Sequence, residues 1–158
     1  MAEPITTAML LAEEAEVQFP WFDTDVAWRV GSLLRQQAFE ASLPVAIEVA
    51  MSGHRLFFCT MRGASADNAG WVSRKRATAE RFQHSSLYIT TLCAEQGRGF
   101  ERYALPPSEY AASGGSVPVI VRRTGMVGTV TISGLTQFED HAMGVRAMRA
   151  VIAEMDGA

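Results

Sequence analysis

This sequence of 158 residues lacks several features that would place it in a specialised class. Its two cysteines, Cys59 and Cys93, are too few for a disulfide framework, so we expect two buried free thiols, with a single bridge between them as the alternative. No run approaches the roughly 18 apolar residues of a membrane span, and the first residues carry no basic segment of a secretory signal. The sequence therefore predicts a cytoplasmic protein with no membrane segment.

Positive charge and catalytic motifs are also scarce. A net charge of −3 argues against a dedicated nucleic-acid binder, because phosphate recognition needs a basic surface. Neither G-x-G-x-x-G nor the P-loop occurs, nor do H-E-x-x-H, C-x-x-C or G-x-S-x-G, and these absences disfavour nucleotide, zinc and hydrolase sites. Thirteen of the fourteen Lys and Arg residues are arginine, which makes Lys75, the single lysine, worth locating.

The composition is that of an ordinary globular protein, and the order of its helices and strands can be predicted from the sequence. We expect a helical N-terminal arm over residues 1–18 and one domain over 19–158. Asp23 is predicted to cap a helix over 24–41, and alternating apolar residues predict hairpins over 44–62 and 117–132. Helices are expected near 5–16, 68–84 and from Thr136, whose T-x-x-E capping box includes Glu139. The segment 86–96 fits helix or strand, and 107–112 fits one helical turn.

This order predicts an α+β fold in α/β/α layers, with an antiparallel sheet and helices on its faces. The Gly- and Pro-rich connection over 97–116 is long for such a domain, and long connections commonly serve as binding loops, lids or interfaces. No internal repeat and no low-complexity segment interrupts the chain.

Lys75 lies on the apolar face of its predicted helix, one turn after Trp71. It either lays its methylenes along the core edge with its ammonium in water, or serves a site, as an ammonium offered to an anionic ligand or as a lysine of depressed pKa. Asp67 is either the cap of this helix or a carboxylate of the same pocket.

A second constellation surrounds the last strand and the helix after it. Gly128 inside a strand indicates a close approach to the backbone or a bulge, and Ser133-Gly134 precede a helix N-terminus that attracts anions. Asp140 either complements the helix dipole or joins the site. His141 is either a satisfied core residue or a ligand, and it is the best candidate in the chain for a metal.

These segments, taken in order, resemble the haem-degrading-domain family, in its cytosolic uncharacterised branch related to the HbpS and GlcG proteins. The resemblance runs from about Phe19 to Ile152. The matching segments are Asp67-Asn68-Ala69-Gly70-Trp71, Arg74-Lys75, His84-Ser85-Ser86, Gly114-Gly115, Pro118, Val127-Gly128-Thr129-Val130, Ser133-Gly134-Leu135 and Asp140-His141.

The resemblance implies a profilin-like domain, homo-oligomers and, in some relatives, binding of haem or another tetrapyrrole. We therefore predict a small ligand-binding protein of haem-binding or haem-degrading type, in which no residue is yet assigned a catalytic role. One pocket would be formed by eight residues, with His141 as the candidate axial ligand of the iron. These residues are Asp67, Trp71, Lys75, Gly128, Ser133, Gly134, Asp140 and His141. The alternatives are a non-enzymatic oligomeric interaction module and a small-anion sensor.

Overall fold

The computed structural model describes residues 3–158 as a sheet of four strands with helices on both faces. The helices are α1 (Thr7–Glu16), α2 (Thr24–Glu40), α3 (Ala66–Phe82), α4 (Ser86–Gln96) and α5 (Gln137–Gly157), with a short 3₁₀ helix at Phe100–Tyr103. The strands are β1 (Ala46–Met51), β2 (His54–Thr60), β3 (Ser116–Val121) and β4 (Gly125–Ser133).

The sheet has the order β2-β1-β4-β3, and every neighbouring pair is antiparallel. Both predicted hairpins are confirmed, and they join through β1 and β4 at the centre of the sheet. Helices α2 and α5 pack on one face and α3 on the other, as the predicted α/β/α layers require.

The two faces of the sheet differ chemically. Side chains such as Ile47 and Ile132 form one apolar cluster with α2 and α5. The opposite face carries polar groups that are nonetheless buried, among them Glu48, whose carboxylate binds Arg76 of α3. Successive strand residues point to opposite faces, so this polar layer results from alternate positions along β1 and β4. The layer beneath α3 is where polar ligand chemistry is available.

Helices α2 and α5 begin at the capping residues predicted from the sequence. Asp23 accepts a hydrogen bond from the Val26 amide, and Thr136 and Glu139 form the reciprocal capping box. The segment 86–96, for which the sequence fits helix or strand, is helical, and this helix ends at Gly97, which adopts the left-handed conformation. Within the segment 107–112, where one helical turn is expected, a single turn is closed by the Glu109 and Tyr110 amides on the Pro106 carbonyl, and the local 3₁₀ helix lies earlier, at Phe100–Tyr103.

Helix α1 is held against the rest of the chain by carboxylates. Glu95 of α4 accepts bonds from the backbone and hydroxyl of Thr7, and Glu14 contacts His84 and the Ser85 amide. Within residues 3–158, no helix has the length and apolar character needed to cross a membrane.

Gly128 provides a test of the sheet's central pairing. A Cβ at this position would lie 2.1 Å from the Ala50 carbonyl oxygen of the neighbouring strand, so the predicted close approach is confirmed. We expect Gly128→Ala to lower the free energy of unfolding by about 1–3 kcal/mol, as overpacking does. Gly70→Ala is the matched control, because its Cβ would meet nothing within 4 Å and alanine favours α3 by up to about 1 kcal/mol. Chemical denaturation of both variants checks the prediction, and equal stability would contradict it.

Candidate functional site

Lys75 connects α3 to the opposite helix through a buried ion pair. Its Nζ lies 2.9 Å from Asp140 Oδ2 and donates a second hydrogen bond, at 3.1 Å, to the Ile132 carbonyl oxygen. Lys75 and Asp140 are 2% and 1% exposed. The sequence alternative of an ammonium in water is therefore wrong, and so is a merely dipole-complementing Asp140.

Burial shifts both members of the pair toward their neutral forms. It lowers the pKa of the Lys75 ammonium and raises the pKa of the Asp140 carboxyl, while their mutual attraction opposes each shift. The remaining carboxylate oxygen, Asp140 Oδ1, accepts the Leu135 amide at 2.9 Å, which orients the carboxyl toward Lys75. Shifted groups of this kind, lying in a cleft, are common at functional sites.

The ion pair lies in the wall of a small polar cavity of about 280 Å³, which we call the Lys75 pocket. Six of the eight site residues expected from the sequence line it, and they are Asp67, Trp71, Lys75, Ser133, Gly134 and Asp140. The other two lie elsewhere. Gly128 is in the sheet against Ala50, and His141 belongs to a separate cleft.

Asp67 does not cap α3, because Ser65 occupies the N-cap position and forms the capping box with Asn68. Asp67 lies in the first turn and contributes its carboxylate to the pocket wall, the second of the two roles expected for it.

Sequence reasoning missed four further lining residues, which are Asn68, Ser113, Leu135 and Gln137. The available signal was the Gly114-Gly115 pair. Gly115 has φ +142°, and a Cβ there would lie 2.8 Å from Lys75 Nζ, so only glycine leaves room for the buried ammonium.

The second concave region lies between α1 and α5, and we call it the α1–α5 cleft. It has a volume of about 550 Å³ and predominantly apolar walls. The apolar lining residues are Ile5, Met9, Leu10, Ala12, Phe138, Ala142 and Val145, and the polar ones are Glu13, Glu16, His141, Arg146 and Arg149.

His141 lies in the wall of this cleft with an uneven set of contacts. Its Nε2 is 2.6 Å from Glu13 Oε1, whereas its Nδ1 is buried and has no hydrogen-bond partner among residues 3–158. An ionised carboxylate only accepts, so Nε2 carries a proton, and in the neutral form of the imidazole the lone pair is then on Nδ1. Buried polar atoms are rarely left unpaired, and this one therefore requires an explanation.

The other two histidines have ordinary surroundings. His84 follows the end of α3 and its Nδ1 contacts Glu14 Oε2 at 2.7 Å, and His54 is exposed in the β1–β2 hairpin. Within the described part of the chain, no three side chains of His, Cys, Asp or Glu converge on a metal position. Cys59 and Cys93 are free thiols as predicted, but only Cys93 is buried, whereas Cys59 is partly exposed.

Comparisons with known proteins agree on one family. The family model described as "Haem degrading protein HbpS-like" matches residues 22–149. A UPF0303 protein of Streptomyces coelicolor is 41% identical over 94% of this chain and 95% of its own length. A UPF0303 protein of Psychromonas ingrahamii is 40% identical over 96% of each chain.

Solved structures extend the likeness. The crystal structure of the Ybr137w protein has a TM-score of 0.86 at 34% identity, covering 94% of this chain and 88% of that one. A PduOC:heme complex has a TM-score of 0.67 at 16% identity, covering 82% and 94%. The crystal structure of HbpS has the same TM-score at 18% identity, covering 85% and 92%. At identities below 25%, the last two likenesses show the fold alone.

Proposed function

We propose that this chain, which belongs to the HbpS-like family of haem-degrading proteins, binds haem or a similar tetrapyrrole in the α1–α5 cleft. His141 is the proposed iron ligand. A non-enzymatic oligomeric module and a small-anion sensor remain the competing classes, and neither explains the His141 geometry.

The observation that carries this proposal is the unpartnered Nδ1 of His141, opposite a carboxylate-bound Nε2. Histidines that bind metals almost always donate their second ring N–H to a carboxylate, a carbonyl or water. Such a partner fixes the ring orientation and increases the basicity of the coordinating nitrogen. Glu13 supplies that partner here, and Nδ1 supplies the lone pair.

The rest of the cleft fits a flat apolar macrocycle with acidic side chains. Its walls are aliphatic and aromatic, and the guanidinium groups of Arg146 and Arg149 suit the two propionates. Arg149 is at present paired with Glu16 at 3.3 Å, a contact between exposed groups that exchanges at little cost. The Lys75 pocket, by contrast, has no His, Cys, Met or Tyr in its lining and does not fit haem iron.

Bound haem would supply the iron chemistry, and the chain's residues would bind and orient it. Helix α1 forms one wall of the cleft, and the His141 side chain is only 5% exposed, so a macrocycle reaches Nδ1 only if apolar side chains of the cleft wall move aside while Glu13 keeps its contact with Nε2.

Titration of the purified protein with haemin tests the proposal. We expect a shifted Soret band that saturates at one haem per chain, together with an increase in thermal stability. A spectrum that remains that of free haemin plus protein over the whole titration would overturn the proposal.

Glu13→Gln is expected to weaken haem binding about 10- to 100-fold, the usual effect of losing a carboxylate behind a ligating histidine. The amide keeps a hydrogen-bond acceptor but removes the charge that makes the imidazole basic. Glu40→Gln, the same substitution at an exposed position at the end of α2 and outside the cleft, is the control and should leave affinity within about threefold. Equal haem affinities for the two variants would remove Glu13 from the site.

We also propose a homo-oligomer, as the family resemblance implies. Trp28 and Phe39 on α2 are 64% and 67% exposed, and exposed large apolar residues of this kind mark interaction surfaces when they cluster. Light scattering across micromolar concentrations is expected to give a mass of at least two chains, and a constant monomer mass would contradict it.

A further inference from the structure

The Lys75 pocket takes no part in the proposed haem site, although its wall contains an ion pair that is costly to bury. Most lysines and aspartates lie at the surface, and removing both from water costs several kcal/mol per ion before their attraction is counted. The pocket is also separate from the His141 side of α5. It therefore calls for an explanation of its own.

Hydrogen-bonding capacity at the pocket wall is incompletely used. An ammonium has three donors, and Lys75 Nζ uses two of them, on Asp140 and on the Ile132 carbonyl. Lys75 lines the cavity, so its third N–H is available to an oxygen of a bound molecule. The hydroxyl groups of Ser113 and Ser133 line the same cavity and can both donate and accept.

The charges of the lining favour some ligands over others. Its ionisable residues are Asp67, Lys75 and Asp140, and the last two neutralise each other. Asp67 has no ion-pair partner among residues 3–158, so the side chains of the lining carry one net negative charge. An anion, the ligand expected from the sequence, would add a second negative charge to it. An uncharged or singly positive molecule avoids that repulsion.

The size and the lining of the Lys75 pocket restrict the class of ligand further. The volume of about 280 Å³ is just below the usual range for drug-sized ligands, so the ligand is small. Trp71 and Leu135 provide the apolar side chains of the pocket, and the Arg74 guanidinium already covers one face of the Trp71 indole at 4.1 Å. The remaining lining is hydroxyl, amide and carboxylate, which suits a molecule with several hydroxyl groups.

We infer that the Lys75 pocket is a second binding site, which takes a small polyhydroxylated molecule that is uncharged or carries one positive amine. Lys75 Nζ and the serine hydroxyls contact the ligand hydroxyls. The Asp67 carboxylate, at the rim, accepts from the amine. This site is independent of haem binding.

Three six-carbon probes that differ only at one end test this assignment. Sorbitol ends in an alcohol, 1-amino-1-deoxysorbitol in an ammonium and gluconate in a carboxylate. By calorimetry we expect the amine to bind about two- to fivefold more tightly than sorbitol, as an exposed ion pair allows. Gluconate should bind most weakly. If gluconate binds most tightly, or if none of the three binds at 20 mM, the inference is wrong.

Two variants locate the binding without disturbing the ion pair. Asp67→Asn should remove the preference for the amine over sorbitol, while Asp25→Asn, an exposed aspartate in the first turn of α2, should not. Trp71→Ala should weaken all three probes and leave haemin titration unchanged. If probe binding is insensitive to both pocket variants, the inference is overturned. A failed haemin titration alongside intact probe binding would count against the proposed haem function alone.

Discussion

Asp140→Asn is expected to lower the free energy of unfolding by about 3–5 kcal/mol, which is the usual cost of removing one partner of a buried ion pair. The substitution leaves the Lys75 ammonium 2% exposed and without its counter-charge. Asparagine has nearly the same shape and keeps an oxygen for the Leu135 amide, so the measured loss reports charge rather than packing. Urea denaturation at neutral pH measures it.

Two further variants separate the ion pair from other causes. Asp156→Asn removes one carboxylate from the exposed pair with Arg122, which also has two hydrogen bonds at 2.8 Å, and should cost less than about 1 kcal/mol. Lys75→Met combined with Asp140→Asn removes both buried charges and should recover most of the loss. If Asp140→Asn costs no more than Asp156→Asn, the pair does not hold a buried charge.

The deficit of Asp140→Asn should also depend on pH. In the native protein Asp140 raises the pKa of Lys75 against the effect of burial, so its removal lowers that pKa further. The Lys75 pKa of the folded variant then lies below the Lys75 pKa of the unfolded chain. Between these two values the unfolded chain binds more protons than the folded chain, so the free energy of unfolding of the variant rises with pH across that interval. We expect the deficit to be largest near pH 7 and to shrink as the pH approaches about 10.

The sequence predicted the sheet well because its signals are local. Strand alternation around Glu48, the Asp23 cap and the Thr136–Glu139 box each depend on residues within a few positions of one another. The face of α3 that carries Trp71 and Lys75 was predicted in the same way, from helical spacing.

The error in the site came from two adjacent residues. Asp140 and His141 were placed in one pocket, yet consecutive residues of a helix project about 100° apart. Asp140 therefore points toward α3 and Lys75, while His141 points toward α1 and Glu13. The partner of each depends on how α1 and α3 pack around α5, and no local pattern encodes that arrangement. Glu13, 128 positions from His141, was consequently not predicted at all.

His141→Gln is expected to reduce haem affinity by more than about 100-fold, beyond the range for a residue that acts behind the ligand. Glutamine is comparable in length and keeps an N–H donor for Glu13, so α1 should remain in place, but its amide has no basic nitrogen for iron. His54→Gln and His84→Gln are the controls, because neither histidine lies in the α1–α5 cleft. Both should keep the Soret shift of the unmodified protein.

A second variant distinguishes the loss of the iron ligand from a folding defect. His141→Ala opens space in the cleft wall, and added imidazole is expected to occupy that space and restore the Soret band in proportion to its concentration. The same imidazole should have no such effect on His141→Gln, where the side chain fills the position. Only a histidine that coordinates the iron can be removed by substitution and then replaced by imidazole from solution. An unchanged Soret shift in His141→Gln, or loss of the shift in His84→Gln instead, would therefore show that iron binds elsewhere.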